Sequence, residues 1–182
     1  MGKITLVTGG SRSGKSSFAE EMLSNEDEVL YIATSIATDK DMEERIRIHR
    51  ERRNPRWNTY EGYRNIGNII KKSSFKYIFL ECIGTLVANI IFESSSDFDK
   101  LNSSEINELE NDILNEINNI ISESKKNTGD IIIITNEVGL SLVPEYRLGR
   151  IFSDILGRVN QIIAENSDEV YISFCGIPLK LK

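Results

Sequence analysis

The chain is short of several things, and each shortage removes a class of function. Lysine and arginine total 22 against 28 aspartates and glutamates, a net charge of −6. No basic excess is available for a nucleic-acid partner, since such proteins display a basic face. No apolar stretch approaches the roughly 20 residues that a bilayer span requires. The first strand-like run begins at Ile4, which leaves no room for a signal peptide, so the expected location is the cytoplasm. The two cysteines, Cys82 and Cys175, sit far apart in apolar strand-like runs. They offer no disulfide framework and read as small buried hydrophobes of a reducing compartment. There is one histidine, His49, hence one candidate for imidazole chemistry. No internal repeat is visible, and the Ser/Asn/Asp stretch 94–104 is too short to link two domains.

What is present fits one domain. The 182 residues, 40% hydrophobic and 27% charged, suffice to bury on the order of 70% of the unfolded surface. Residues 1–182 are therefore expected to form a single α/β nucleotide-binding domain. The nucleotide is implied by residues 9–16, Gly9, Gly10, Ser11, Arg12, Ser13, Gly14, Lys15 and Ser16, a complete G-x-x-x-x-G-K-[ST] phosphate loop. It follows the apolar run 4–8 and precedes a helical segment, the context that gives the pattern meaning. Its glycines let the backbone curl N–H groups around a phosphate chain. The positive end of the next helix adds to the anion site. Lys15 is placed to reach the terminal phosphates and the Ser16 hydroxyl to ligate Mg²⁺.

Five continuous apolar runs read as strands, 4–8, 29–34, 77–82, 131–136 and 170–175, of the kind covered by helices on both faces. A short piece at 179–181 suits an edge strand after a turn at Gly176, Ile177 and Pro178. Helical patterns occupy 15–24, 39–52, 105–123 and about 146–165. In the third, Ile106, Leu109, Ile113, Leu114, Ile117, Ile120 and Ile121 recur at three- and four-residue steps. In the last, Ile151, Ile155, Val159, Ile162 and Ile163 do so. Strand alternating with helix implies a largely parallel sheet with right-handed crossovers.

In such a sheet ligands collect beyond the carboxyl ends of the strands. The polar groups expected there are the phosphate loop, Thr34 and Ser35, Glu81, and Asn136 with Glu137. An unpaired carboxylate at Glu81, in an otherwise apolar run, would be costly. Mg²⁺ or a basic partner would relieve that cost; a strand-end glutamate that simply reaches water is the plainer alternative. His49 lies in a basic stretch with Arg45, Arg50, Arg52 and Arg53, residues suited to phosphate. The same stretch also reads as a solvated helix face, because Asp41, Glu43, Glu44 and Glu51 are close by.

Taken together and in order, these pieces resemble the bifunctional adenosylcobinamide kinase/adenosylcobinamide-phosphate guanylyltransferase family of cobalamin biosynthesis. The resemblance runs nearly end to end. It is carried by residues 6–16, 30–35, Arg45-Ile46 with His49-Arg50, Trp57 with Thr59 and Glu61, and Leu80-Glu81-Cys82. Further on it is carried by residues 135–139, residues 143–145 with Arg147, residues 157–161 and residues 176–178.

The resemblance implies a RecA-like P-loop α/β sheet with an antiparallel C-terminal edge, assembled as a homotrimer. It implies a kinase that phosphorylates adenosylcobinamide with ATP or GTP, and a guanylyltransferase that passes GMP from GTP, through a histidine, to adenosylcobinamide phosphate. It places the histidine at His49. Nucleotide contacts fall on residues 9–16, Thr34, Ser35, Arg50, Glu51, Arg52, Arg53, Glu61 and Glu81, with Ser16 and Glu81 at the metal. One departure is visible: Asn54 stands between Arg53 and Pro55, where the family has Arg-Pro directly. Two other readings share the phosphate loop. A small-molecule kinase without nucleotidyl transfer is one. A regulatory GTPase is the other, but its N-K-x-D pattern is missing, and the D-x-x-G match at residues 154–157 lies inside a helical pattern.

Overall fold

Leu6 of the run before the phosphate loop lies beside Ile133 of one strand and Val170 of another, so the loop emerges from inside a sheet. The computed structural model describes residues 2–37, 40–95, 97–140 and 142–182, without the side chains of Asp41, Arg45 and Arg52. In chain order its elements are β1 Ile4–Gly9, α1 Lys15–Met22, β2 Val29–Ala33, α2 Lys40–Arg52, β3 Asn58–Glu61, α3 Ile66–Lys72 and β4 Tyr77–Leu80. They continue with α4 Ile83–Ser94, α5 Ser103–Lys126, β5 Asp130–Ile134, α6 Arg147–Asn166, β6 Glu169–Phe174 and β7 Ile177–Lys180. The sheet order is β3-β2-β4-β5-β1-β6-β7. Every pairing is parallel except β6 with β7. This is the mainly parallel P-loop-type α/β sheet with an antiparallel C-terminal edge.

Side chains alternate across a strand, and here both sides are apolar because both are covered. Ile4, Leu6, Ile131 and Ile133 face the core packed by α3 to α6. Val7, Ile132 and Ile134 face a smaller core with Ala19, Leu23, Tyr31, Trp57 and Phe79. The α5 stripe is buried at Leu109, Ile113, Ile117, Ile120 and Ile121. The Asn102 side chain accepts from the backbone N–H of Ser104 and Glu105, while the Glu105 carboxylate accepts from the Asn102 N–H.

Three elements went unread in the sequence. β3 is a four-residue edge strand of polar residues, exposed at Asn58, Thr59 and Glu61, so it carries no apolar signal. α4 buries Ile83, Leu86, Val87, Ile90 and Ile91; it is apolar nearly all round and merges with the strand run before it. α3 spans only seven residues. Strand ends also differ. Glu81 and Cys82 lie beyond β4, because the Cys82 thiol already accepts from the Thr85 N–H at the start of α4. Thr135 and Asn136 lie beyond β5. The reading of Cys175 as a buried strand residue is overturned: it is exposed, with φ of 51°, in the turn between β6 and β7. Ile177 and Pro178, expected in that turn, belong to β7. Asp39, expected to open the second helix, lies outside the described residues.

Candidate active site

The loop between β1 and α1 takes its shape from backbone that ordinary residues avoid. Gly9, Arg12 and Gly14 have φ of 152°, 57° and 91°. A Cβ on Gly14 would stand 2.9 Å from the Gly176 Cα, so the position is closed to side chains by contact as well as by torsion. The β6–β7 turn fastens the loop from outside: the Gly176 N–H and the Ser173 hydroxyl both donate to the Ser13 carbonyl, at 2.8 and 2.6 Å. The Phe18 N–H donates to the Gly14 carbonyl at 3.0 Å and starts α1. The Lys15 ammonium folds back to donate to the Gly10 carbonyl at 3.1 Å. Burial pulls its pKa below the ordinary value, with Cys82 acting weakly the other way. An anion in the loop would favour the charged form.

Across from the loop, His49 Nδ1 lies 2.9 Å from Glu81 Oε1. Glu81 is 8% exposed, and the cost of burying its carboxylate is met in part by this ring. Burial, then the Glu81 charge, push the Tyr31 phenol pKa well up, with Arg53 opposing. The Arg53 guanidinium lies 3.8 Å from the Tyr31 ring centroid and donates to the Thr59 hydroxyl at 3.0 Å. Beneath it Tyr31 stacks on Phe79 at 5.0 Å, and Trp57 completes the cluster with its indole N–H donating to the Glu26 carbonyl at 2.9 Å.

The phosphate loop, His49, Arg53 and Glu81 line one cavity of about 640 Å³. Among the expected site residues it gathers Ser11, Arg12, Ser13, Gly14, Lys15, Ser16, Ser35, His49, Arg53, Glu61 and Glu81. Gly9 and Gly10 are not among the residues that line it. Thr34 is fully buried: its hydroxyl bonds to the Thr85 hydroxyl and the Cys82 carbonyl at 2.6 and 2.7 Å. Arg50 faces a neighbouring cavity of about 670 Å³ and holds Glu61 with both carboxylate oxygens engaged. Glu51 is exposed, lines neither cavity and pairs with Arg47. The side chains of Arg45 and Arg52 lie outside the described residues.

The division follows helix geometry. Met42, Ile46, His49 and Arg53 recur at steps of four, three and four, the spacing of one helical face, and all line the 640 Å³ cavity. Glu43, Arg47 and Arg50 form the adjacent face and line the other. Sequence reasoning weighed the charges of this segment and overlooked Met42 and Ile46 as an apolar wall; the period was there to be read. Thr85 and Asn136 also line the cavity, although α4 gave no sequence signal.

Among the described residues no group of three or more His, Cys, Asp or Glu is placed to hold a metal. Ser16 and Glu81 bring two hard oxygen donors to the cavity, a partial set of the kind that suits a cation otherwise held by phosphate and water. No described helix is long and apolar enough to cross a membrane.

Comparison with known proteins points to one family. The family model CobU, cobinamide kinase / cobinamide phosphate guanyltransferase, matches residues 5–181. The chain is 39% identical to the bifunctional adenosylcobalamin biosynthesis protein CobU of Escherichia coli (strain K12), over 98% of this chain and 99% of that protein. It is 40% identical to the protein of the same name from Salmonella typhimurium, with the same coverage. Identity to the bifunctional adenosylcobalamin biosynthesis protein CobP of Pseudomonas aeruginosa is 32%, over 97% of this chain and 96% of that protein.

Proposed function

The chain belongs to the cobinamide kinase / cobinamide phosphate guanyltransferase family, and from that premise we propose that the 640 Å³ cavity serves both reactions, with His49 carrying GMP between them. The observation that carries this reading is that the chain's single histidine opens into the same cavity as the phosphate loop. ATP or GTP is the phosphoryl donor and GTP the guanylyl donor; adenosylcobinamide and its phosphate are the acceptors.

In the kinase reaction the aminopropanol hydroxyl oxygen attacks the γ-phosphorus and the nucleoside diphosphate leaves. Positioning and charge neutralisation do most of the work, and here they fall to the loop amides, Lys15 and Arg12. In guanylyl transfer the histidine nitrogen bonds to the α-phosphorus of GTP as the α–β bridging bond breaks, releasing pyrophosphate. A phosphate oxygen of adenosylcobinamide phosphate then attacks the same phosphorus and the P–N bond breaks, giving adenosylcobinamide-GDP. Two displacements replace one difficult one. A carboxylate beside Nδ1 favours the proton on that nitrogen and the lone pair on Nε2, and it offsets the positive charge the ring gains on attack.

Mg²⁺ would be held by Ser16 and Glu81 together with phosphate oxygens, and would neutralise charge on the leaving group. Arg12 and Arg53 line the cavity and are assigned to the phosphate chain, with Ser35 and Glu61 around it. Thr34, its hydroxyl engaged by Thr85 and Cys82, and Arg50, bound to Glu61, act on the nucleotide only through those partners. Glu51, paired with Arg47 away from this cavity, takes no direct part. Residues 1–182 act as one domain, in a homotrimer located in the cytoplasm; light scattering on the purified protein checks the trimer. Incubation with α-labelled GTP tests the function: label stays on the protein and then moves to added adenosylcobinamide phosphate. Phosphorylation of adenosylcobinamide with no label on the protein would leave a kinase alone.

A further inference from the structure

We propose that the side-chain amide of Asn136 contacts the terminal phosphate of the bound triphosphate. This rests on the nucleotide reading above and adds to it a residue that the phosphate-loop pattern does not contain.

The placement comes from the sheet. β5 pairs with β1 on one side and β4 on the other, so the chain leaving β5 emerges between the phosphate loop and Glu81. Two backbone bonds carry that pairing past the end of β5: the Thr135 N–H donates to the Val7 carbonyl at 3.1 Å, and the Glu137 N–H to the Gly9 carbonyl at 3.0 Å. Asn136 is the residue between these two anchors.

Its own backbone is fixed from behind. Asn160 of α6 donates from Nδ2 to the Asn136 carbonyl at 2.9 Å, and its Oδ1 accepts from the fully buried Thr135 hydroxyl at 2.6 Å. One side chain therefore holds two successive residues, which leaves Asn136 little freedom to swing away. The side chain then lines the cavity together with Lys15, Ser16 and Glu81. It sits over the start of α4, where a Cβ on Gly84 would come within 3.1 Å of Asn136 Nδ2; glycine there leaves room for the amide.

The residue type suits the task. A neutral amide donates to a phosphate oxygen without adding charge, and its carbonyl remains able to accept from an incoming hydroxyl. A hydrogen bond to a charged group counts for more than one between neutral groups. An aspartate of the same shape would instead face the phosphate with like charge.

The test compares the full-length protein with Asn136→Asp and Asn136→Ala. Calorimetry reads the affinities of two GTP-type probes that share a methylene bridge between the α and β phosphates, the triphosphate and the matching diphosphate. They differ only in the terminal phosphate, and the bridge prevents transfer to His49. The expected result is a loss of triphosphate affinity on the order of tenfold or more in both variants, larger for Asn136→Asp. Diphosphate affinity stays within about twofold, the scatter expected of an uninvolved site, which also reports that the variant is folded. An unchanged triphosphate-to-diphosphate ratio, or equal losses of both, overturns the inference while leaving the nucleotide reading intact. A native protein that binds neither probe overturns both. If Asn136→Asp does not fold, the ratio in Asn136→Ala decides.

Discussion

His49 and Glu81, 32 residues apart, meet with Nδ1 2.9 Å from Oε1, and that contact joins the helix carrying the histidine to the end of β4, across the cavity from the phosphate loop. A carboxylate at this distance favours the proton on Nδ1. Glu81→Gln keeps the shape but replaces an acceptor-only group with one that can also donate to Nδ1, which allows the wrong tautomer. Formation of the GMP adduct should slow by up to about four orders of magnitude, the loss when the orienting carboxylate of a catalytic-triad histidine is made an amide. Single-turnover labelling with α-labelled GTP measures it, and an adduct formed at the native rate would contradict the role.

His49→Ala separates the two reactions. Removing the ring should abolish the GMP adduct while phosphorylation of adenosylcobinamide from γ-labelled donor continues at a substantial rate, because the loop and Lys15 are untouched. Equal loss of both reactions would show that the helix carrying His49, and not its imidazole, is what matters.

Lys15→Ala should impair both reactions. The ammonium is one of the loop's two cations, with Arg12, and losing a preorganised charge aimed at a phosphate costs on the order of a hundredfold in turnover. Burial lowers the Lys15 pKa in the protein without nucleotide, so binding of a triphosphate is expected to raise it and take up a proton at alkaline pH. Calorimetry in buffers of different ionisation enthalpy detects that proton, and its absence would argue against contact with Lys15.

Much of this was legible before the structure, and what was missed has a physical pattern. The phosphate loop, the five strands and the amphipathic stripes of α5 and α6 show in the sequence because each has a fixed spacing, an unbroken apolar run or a helical period. α4 does not, since burial on nearly all sides erases the polar face that marks a helix's ends and direction. β3 does not, since a polar edge strand looks like a loop. The cavity itself was half legible: the step from Met42 through Ile46 and His49 to Arg53 is one helical face, but the pairing of His49 with Glu81 and the ordering of Asn136 by Asn160 depend on contacts across the sheet that no local pattern encodes.

At the far edge of the sheet, Glu169 pairs with Lys180 and Lys3 and joins the exposed strand β7 to the N-terminus. Lys180, then Lys3, lower its pKa from 4.5 to about 2. A carboxyl depressed on folding stabilises the native state above its unfolded pKa, and that stabilisation disappears as the pH falls through the folded value. Glu169→Gln should therefore be less stable than the native protein at pH 7, with the difference shrinking between about pH 4.5 and 2. Urea unfolding across that window measures it; a difference that grows on acidification would reverse the sign.

His49 accepting the guanylyl group is the step that joins the two proposed reactions. Incubation with GTP in the absence of acceptor, followed by peptide mapping by mass spectrometry, asks this directly. The predicted result is GMP on the peptide that carries His49, labile in acid and discharged when adenosylcobinamide phosphate is added. GMP found on another residue, or no adduct in a protein that still makes adenosylcobinamide-GDP, would contradict it.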